Sequence, residues 1–84
     1  MITVHIKYFA SIREAFGFAE ENLQISASTI AELRNLLIAR GGDGGEALVR
    51  GKALRMALNK VMVDESALLS DGCEVAFFPP VTGG

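Results

Sequence analysis

Residues 29–40 read TIAELRNLLIAR, and the fold turns on them. Ile30, Leu33 and Leu37 recur at i, i+3 and i+7, with Leu36 and Ile38 widening the apolar stripe, which is the period of an amphipathic helix. Thr29 and Glu32 have the spacing of a capping box and set its start. Gly41 and Gly42 supply a left-handed C-cap, and Arg40 suits the negative end of the helix dipole, so the helix stops near Arg40. No second long helix accompanies it.

Upstream, residues 2–9, ITVHIKYF, place Ile2, Val4, Ile6 and Tyr8 on one face and Thr3, His5, Lys7 and Phe9 on the other, the pattern of a half-buried strand. Ser11 and Glu14 again have capping-box spacing, and Gly17 can close a helical turn of about five residues. Residues 21–26, ENLQIS, set Leu23 and Ile25 to one side and predict a strand that pairs with the first.

Downstream, the GGDGG run from Gly41 to Gly45 predicts a flexible loop. Residues 46–54 fit either a short helix or an irregular connection. Residues 55–63, RMALNKVMV, predict two short strands about a turn at Asn59 and Lys60, with Val61 and Val63 on one face and Met62 on the other. Asp71-Gly72 signals a further turn. CEVAFF then predicts a strand with Cys73, Val75 and Phe77 on one face and Glu74, Ala76 and Phe78 on the other. Pro79 and Pro80 halt it, having no N–H for a ladder. One amphipathic helix crossing one face of a mixed sheet is the two-layer solution for this element order. The expected fold is therefore an α+β β-grasp over residues 1–80, with residues 81–84 as an extended, flexible C-terminal tail.

With 84 residues the chain closes a single core, burying roughly 60% of its unfolded surface. Half of the residues are hydrophobic and 21% are charged, so the composition is not that of a disordered chain. No apolar run approaches the roughly 18 residues of a membrane span, and the expected location is the cytosol. One cysteine, Cys73, and one histidine, His5, can form neither an internal disulfide nor a structural zinc site. A net charge of -2, with lysines and arginines scattered singly, argues against a nucleic-acid partner and for a protein or a small molecule.

Few residues invite catalysis. GGDGG lacks the Lys-Ser/Thr of a phosphate loop and follows a helix where such loops precede one, so a C-cap and loop account for it better. His5 has no acidic or nucleophilic partner nearby in sequence, and Cys73 falls on the inward face of its strand, which makes a buried inert thiol of it. Three apolar side chains face outward instead: Phe9, Phe78 and Met62. If the first and last strands are neighbours, these make an exposed patch of the kind that marks a protein interface.

The chain ends FFPPVTGG, and this tail holds the remaining chemistry. Pro79 and Pro80 favour an extended conformation, so the four residues beyond reach roughly 13 Å from the body. Gly83 and Gly84, without Cβ atoms, let a narrow channel close around the backbone. Such a shape suits delivery of the Gly84 carboxylate into another protein's active site. A carboxylate is a poor acyl donor until ATP converts it to an acyl adenylate, and this chain has no nucleotide loop, so an activating enzyme must come from elsewhere.

Residues 71–84, DGCEVAFFPPVTGG, resemble the C-terminus of the molybdenum branch of the MoaD/ThiS ubiquitin-like sulfur-carrier family. VHIKYFASIREAFG, residues 4–17, resembles that family's opening strand and short helix, and STIAELRNLL, residues 28–37, its central helix. The resemblance implies a sulfur-carrier subunit, not catalytic alone. A partner related to the ubiquitin-activating enzymes would use ATP to adenylate Gly84, and sulfur would convert it to a thiocarboxylate. The tail, from Pro80 through Val81, Thr82 and Gly83, would thread into the molybdopterin synthase large subunit, where the sulfur attacks cyclic pyranopterin monophosphate. Phe9, Met62 and Phe78 would dock, Arg13 would lie near the base of the tail or, equally, form a surface salt bridge, and no metal or cofactor would be bound by the carrier itself. Cys73 stands where the family resemblance leads one to expect an acidic residue. Two alternatives share the activated carboxylate: sulfur donation to thiazole synthesis, and conjugation through Gly84 to target lysines as a ubiquitin-like modifier. A third is a plain binding module with the exposed apolar residues as its contact surface.

Overall fold

Alternation in the first residues becomes strand β1, Ile2–Tyr8, whose Val4, Ile6 and Tyr8 are fully buried. The structure, a computed structural model, describes residues 1–49 and 53–80. After β1 come α1 (Ala10–Phe16), β2 (Glu20–Ile25), α2 (Ile30–Ala39), α3 (Gly42–Ala47), β3 (Arg55–Leu58), β4 (Val61–Val63) and β5 (Cys73–Phe78). The strands form one sheet in the order β2-β1-β5-β3-β4. β1 and β5 run parallel at its centre, Ile6 beside Val75 and Tyr8 beside Phe77, and the other pairings are antiparallel. The core lies between one sheet face and α2, where Val4, Ile6, Val75, Phe77 and Met56 meet Ile30, Leu33 and Leu37. This is the expected mixed-sheet α+β β-grasp.

α2 begins as its sequence predicts. Glu32 N–H donates to Thr29 Oγ1 at 3.2 Å, which satisfies an orphan donor of the first turn, while the Glu32 carboxylate reaches back to accept from the N–H of Ser28, the residue before the cap, at 3.2 Å. The turn at Asn59 and Lys60 is also as expected, with φ of 49° and 71° at the two positions, the left-handed pair that a two-residue hairpin requires.

Two expectations need correction. The Ser11–Glu14 pair caps nothing: helix α1 starts two residues earlier, with Phe9 as an extended N-cap whose carbonyl accepts from Ile12 N–H at 3.1 Å and Arg13 N–H at 3.3 Å. Phe9 N–H is held by Phe77 O at 3.2 Å, so the end of the β1/β5 ladder fixes where the helix begins and leaves Ser11 inside it. Gly17 closes α1 with φ 84° and an N–H bond to Arg13 O, as the sequence predicts.

The glycine run is not a loop either, since residues 42–47 form α3. Gly44 and Gly45 are there for close approach. A Cβ at Gly44 would fall 2.6–2.8 Å from ring atoms of Phe16, and one at Gly45 would fall 2.9 Å from the carbonyl oxygen of Ile38. α3 thus lies directly on α1 and on the end of α2, and backbone contact offsets the low helix propensity of glycine. Gly45→Ala is expected to cost about 1–3 kcal/mol, because the opposing atoms are main-chain and cannot swing aside; urea unfolding of the two proteins measures it.

Arg34 secures the segment after α3. It is 6% exposed, donates from Nε to Leu48 O at 2.7 Å and from Nη2 to Val49 O at 3.2 Å, and pairs with Glu65 at 3.3 Å. A guanidinium can satisfy two carbonyls and a carboxylate at once because its five donors form a planar fork.

Candidate functional site

Strand β5 carries the chain to Pro79 and Pro80, and two surfaces meet there. On the sheet face away from α2, β1 presents Thr3, His5, Lys7 and then Phe9, while β5 presents Glu74, Ala76 and Phe78. The register sets Lys7, Ala76, Ala57 and Met62 in one row across four strands, with Phe78 beside Arg55 in the next. The rings of Phe9 and Phe78 stack at 4.6 Å with 13° between their planes. Phe9 remains 40% exposed and Met62 54%, whereas Ala57 and Ala76 between them are buried by their larger neighbours.

The face is divided along the strands. Mid-strand on β1, His5 pairs with Asn22 and with Glu20 at 3.1 Å, and Lys7, in the row of Met62, pairs with Glu74 at 3.5 Å. Toward the end of β5, the apolar side chains take over. An aromatic pair held by stacking presents a broad flat area at little cost in side-chain entropy, which suits it to contact with a partner.

Of the candidate residues, Phe9 and Phe78 are in contact, and Met62 lies farther across the same face. Met62 and Pro80 line one groove together with Arg55, Leu54 and Val63. Pro79 and Pro80 also border a cavity of about 270 Å³ against Ser11, Ile12, Ala47 and Leu54, so the root of the tail rests between α1 and the β3 approach. Arg13 is exposed on α1 and is not among the residues lining that cavity. Val81, Thr82, Gly83 and Gly84 lie outside the described residues. Cys73 is buried on the core face. Among the described residues no group of three or more His, Cys, Asp or Glu is placed to hold a metal ion, and no helix is long and apolar enough to cross a membrane.

A polar cluster under the opposite face went unread in the sequence. Tyr8 OH donates to Glu21 Oε2 at 2.5 Å, and Arg40 binds both carboxylate oxygens of Glu21 at 2.8 and 2.9 Å. Arg40 therefore clamps β2 to the end of α2 rather than serving the helix dipole alone. The Arg40 hydrogen bonds hold the Glu21 carboxyl below the usual carboxylate range despite its partial burial, and burial together with Glu21 pushes the Tyr8 phenol far up. Glu21 shares the parity of Leu23 and Ile25 along β2, and a carboxylate on a core-facing position was the available signal.

The sign of the pH dependence follows. A carboxyl whose folded pKa is depressed adds stability above its ordinary value of 4.5, and that stability is lost as pH falls through the folded value. A phenol whose pKa is raised adds stability below its ordinary value of 10.0 and loses it as pH rises above. The gap in urea midpoint between the parent and Glu21→Gln is expected to be full at neutral pH and to close as pH drops below about 4.5. A gap that stays constant to pH 2 would exclude the Arg40 clamp as its source.

The ThiS family profile matches residues 6–84. The molybdopterin synthase sulfur carrier subunit of Escherichia coli is 38% identical over 81 residues, covering 96% of this chain and 99% of that protein. Among solved structures, the complex of subunits 1 and 2 of the molybdopterin-converting factor from Helicobacter pylori contains a chain that is 31% identical, with a TM-score of 0.65 and coverage of 99% of this chain and 100% of that one. Small archaeal modifier protein 1 of Haloferax volcanii superposes with a TM-score of 0.81 at 20% identity, covering 96% of this chain and 100% of that one, a likeness of fold.

Proposed function

This chain belongs to the ThiS family, and from that premise we propose that it is the sulfur-carrier subunit of a molybdopterin synthase, with Gly84 as the carrier group. The observation that carries the reading is the stacked Phe9–Phe78 pair beside the root of the tail: an apolar docking face placed where the chain leaves the domain. A partner held on that face receives the tail in a defined direction.

The chemistry proceeds in three steps. In an adenylating enzyme, a Gly84 carboxylate oxygen attacks the α-phosphorus of ATP and pyrophosphate leaves. A donor persulfide then attacks the acyl adenylate and AMP leaves; a thiol next attacks the donor's sulfur in the resulting acyl disulfide, which forms a new disulfide with the donor and releases the thiocarboxylate. Finally, with the domain docked on the large subunit, the thiocarboxylate sulfur attacks cyclic pyranopterin monophosphate, and hydrolysis of the resulting acyl intermediate restores the Gly84 carboxylate. Gly83 and Gly84 admit the backbone to a narrow channel, Pro80 to Thr82 span its approach, and catalytic side chains belong to the partners.

Incubating the chain with ATP, the adenylating enzyme and a sulfur donor is expected to raise its intact mass by the difference between one sulfur and one oxygen, and the large subunit with its pterin substrate is expected to reverse that gain. An unchanged mass would sink the reading. Adducts on lysines of other proteins would replace it with a modifier, and transfer only to a thiazole synthase with the thiazole branch.

A further inference from the structure

Strand β4 is an edge of the sheet: β3 is its only neighbour among the described residues. Edge strands usually carry a bulge, a proline or a charge that discourages pairing. β4 instead reads Val61-Met62-Val63, with Val61 63% and Met62 54% exposed, and its charges flank it: Lys60 on one side and Asp64 on the other. We propose that β4 pairs antiparallel with β4 of a second copy of this chain, joining two five-stranded sheets edge to edge.

The hairpin fixes the register. Leu58 and Val61 close a two-residue turn, so they exchange both ladder hydrogen bonds, and the next pair, Ala57 and Met62, is the non-bonded kind. The N–H and C=O of Met62 therefore point away from β3, toward the open edge. A two-fold axis through Met62 sets Met62 against its own counterpart as a doubly hydrogen-bonded pair and Val61 against Val63 of the other copy. The same axis brings Lys60 opposite Asp64, twice. The segment Lys60-Val61-Met62-Val63-Asp64 is thus complementary to itself in apolar character and in charge, which is what an isologous, closed interface demands. Asp64 is held ionised, its carboxyl lowered by hydrogen bonds from the Ser66 hydroxyl and N–H. Three residues bury little area, so the dimer is weak and dependent on concentration and salt. It covers Met62, and so competes with any partner docked on that part of the face.

Sedimentation equilibrium of the full chain at low salt, up to about 1 mM, is expected to show a monomer–dimer equilibrium, with Met62 amide exchange slowing as the dimer fills. Lys60→Asp, tolerated at a left-handed turn position and setting a carboxylate against Asp64 at each end of the seam, is expected to weaken the dimer about tenfold or more. Adding Asp64→Lys to it restores the alternation of charge and is expected to recover most of the loss. Met62→Lys, on an exposed edge where the fold does not need the side chain, is expected to abolish pairing. A chain monomeric throughout, open-ended assemblies rather than dimers, a Lys60→Asp chain that dimerises within twofold of the parent, or a double variant no better than the single one would each overturn the proposal.

Discussion

Deletion of Gly84 is expected to abolish sulfur loading while leaving thermal unfolding unchanged. The described core runs from Val4 to Phe77, and a glycine has no side chain to bury, so the stability should be that of the full chain. The reaction, in contrast, depends on where the carboxylate stands. Removing one residue withdraws it by about 3.3 Å or a little more, and a misplacement of even about 1 Å at a reacting centre can cost on the order of 100-fold in rate. Intact mass after exposure to ATP, adenylating enzyme and sulfur donor reads the outcome directly: the shortened chain should show no thiocarboxylate over a period in which the parent is fully converted. Loading of the truncated chain at the parent's rate would remove Gly84 from the mechanism.

Phe78→Asp should have the largest effect on partner binding. Phe78 stacks on Phe9 at the end of β5, and a buried aromatic anchor typically contributes about 2–4 kcal/mol to an interface, so affinity for the large subunit should fall about 30-fold or more. Within the free domain the residue is only partly buried, and the loss is that of one stacked pair, about 0.5–1.5 kcal/mol. Leu68→Asp is the matched control, since Leu68 is 72% exposed and sits beside Thr29, away from that face. Calorimetric titration with the large subunit distinguishes the two variants. Equal affinities for all three proteins would dismiss the sheet face as the docking surface.

Strong periodicity explains what was legible in the sequence. β1 alternates without interruption and its core face is the buried one; on α2, Ile30, Leu33 and Leu37 are buried as expected, but Leu36, expected to widen the apolar stripe, is 47% exposed, and Arg34 is buried in its place. The outward placement of Phe9, Met62 and Phe78 followed from parity alone. Local signals failed where a distant contact outweighed them. Ser11 and Glu14 have the right spacing for a cap, but the ladder bond from Phe9 to Phe77 starts the helix earlier. Gly44 and Gly45 look like part of a loop because their advantage, contact with Phe16 and Ile38, lies on other elements. Arg34 occupies a core-facing position of α2 among leucines, and the carbonyls that make it tolerable belong to residues 14 and 15 places away. Glu21 and Arg40, 19 positions apart, meet only once the sheet and helix are assembled. Each missed feature is a pairing between elements, to which spacing along one element is blind.

The position of β5 has a mechanical consequence. In the proposed reaction a tail gripped in a tight channel would have to be withdrawn afterwards, and the withdrawing force would enter the domain through Pro80 along the axis of β5. β5 lies between β1 and β3, with ladder hydrogen bonds on both flanks directed across the strand. A lengthwise pull therefore loads those bonds together in shear on two flanks, whereas the edge strand β4 has ladder bonds to β3 alone among the described residues. The domain is a handle whose strongest grip is on the strand that leads to its own working end.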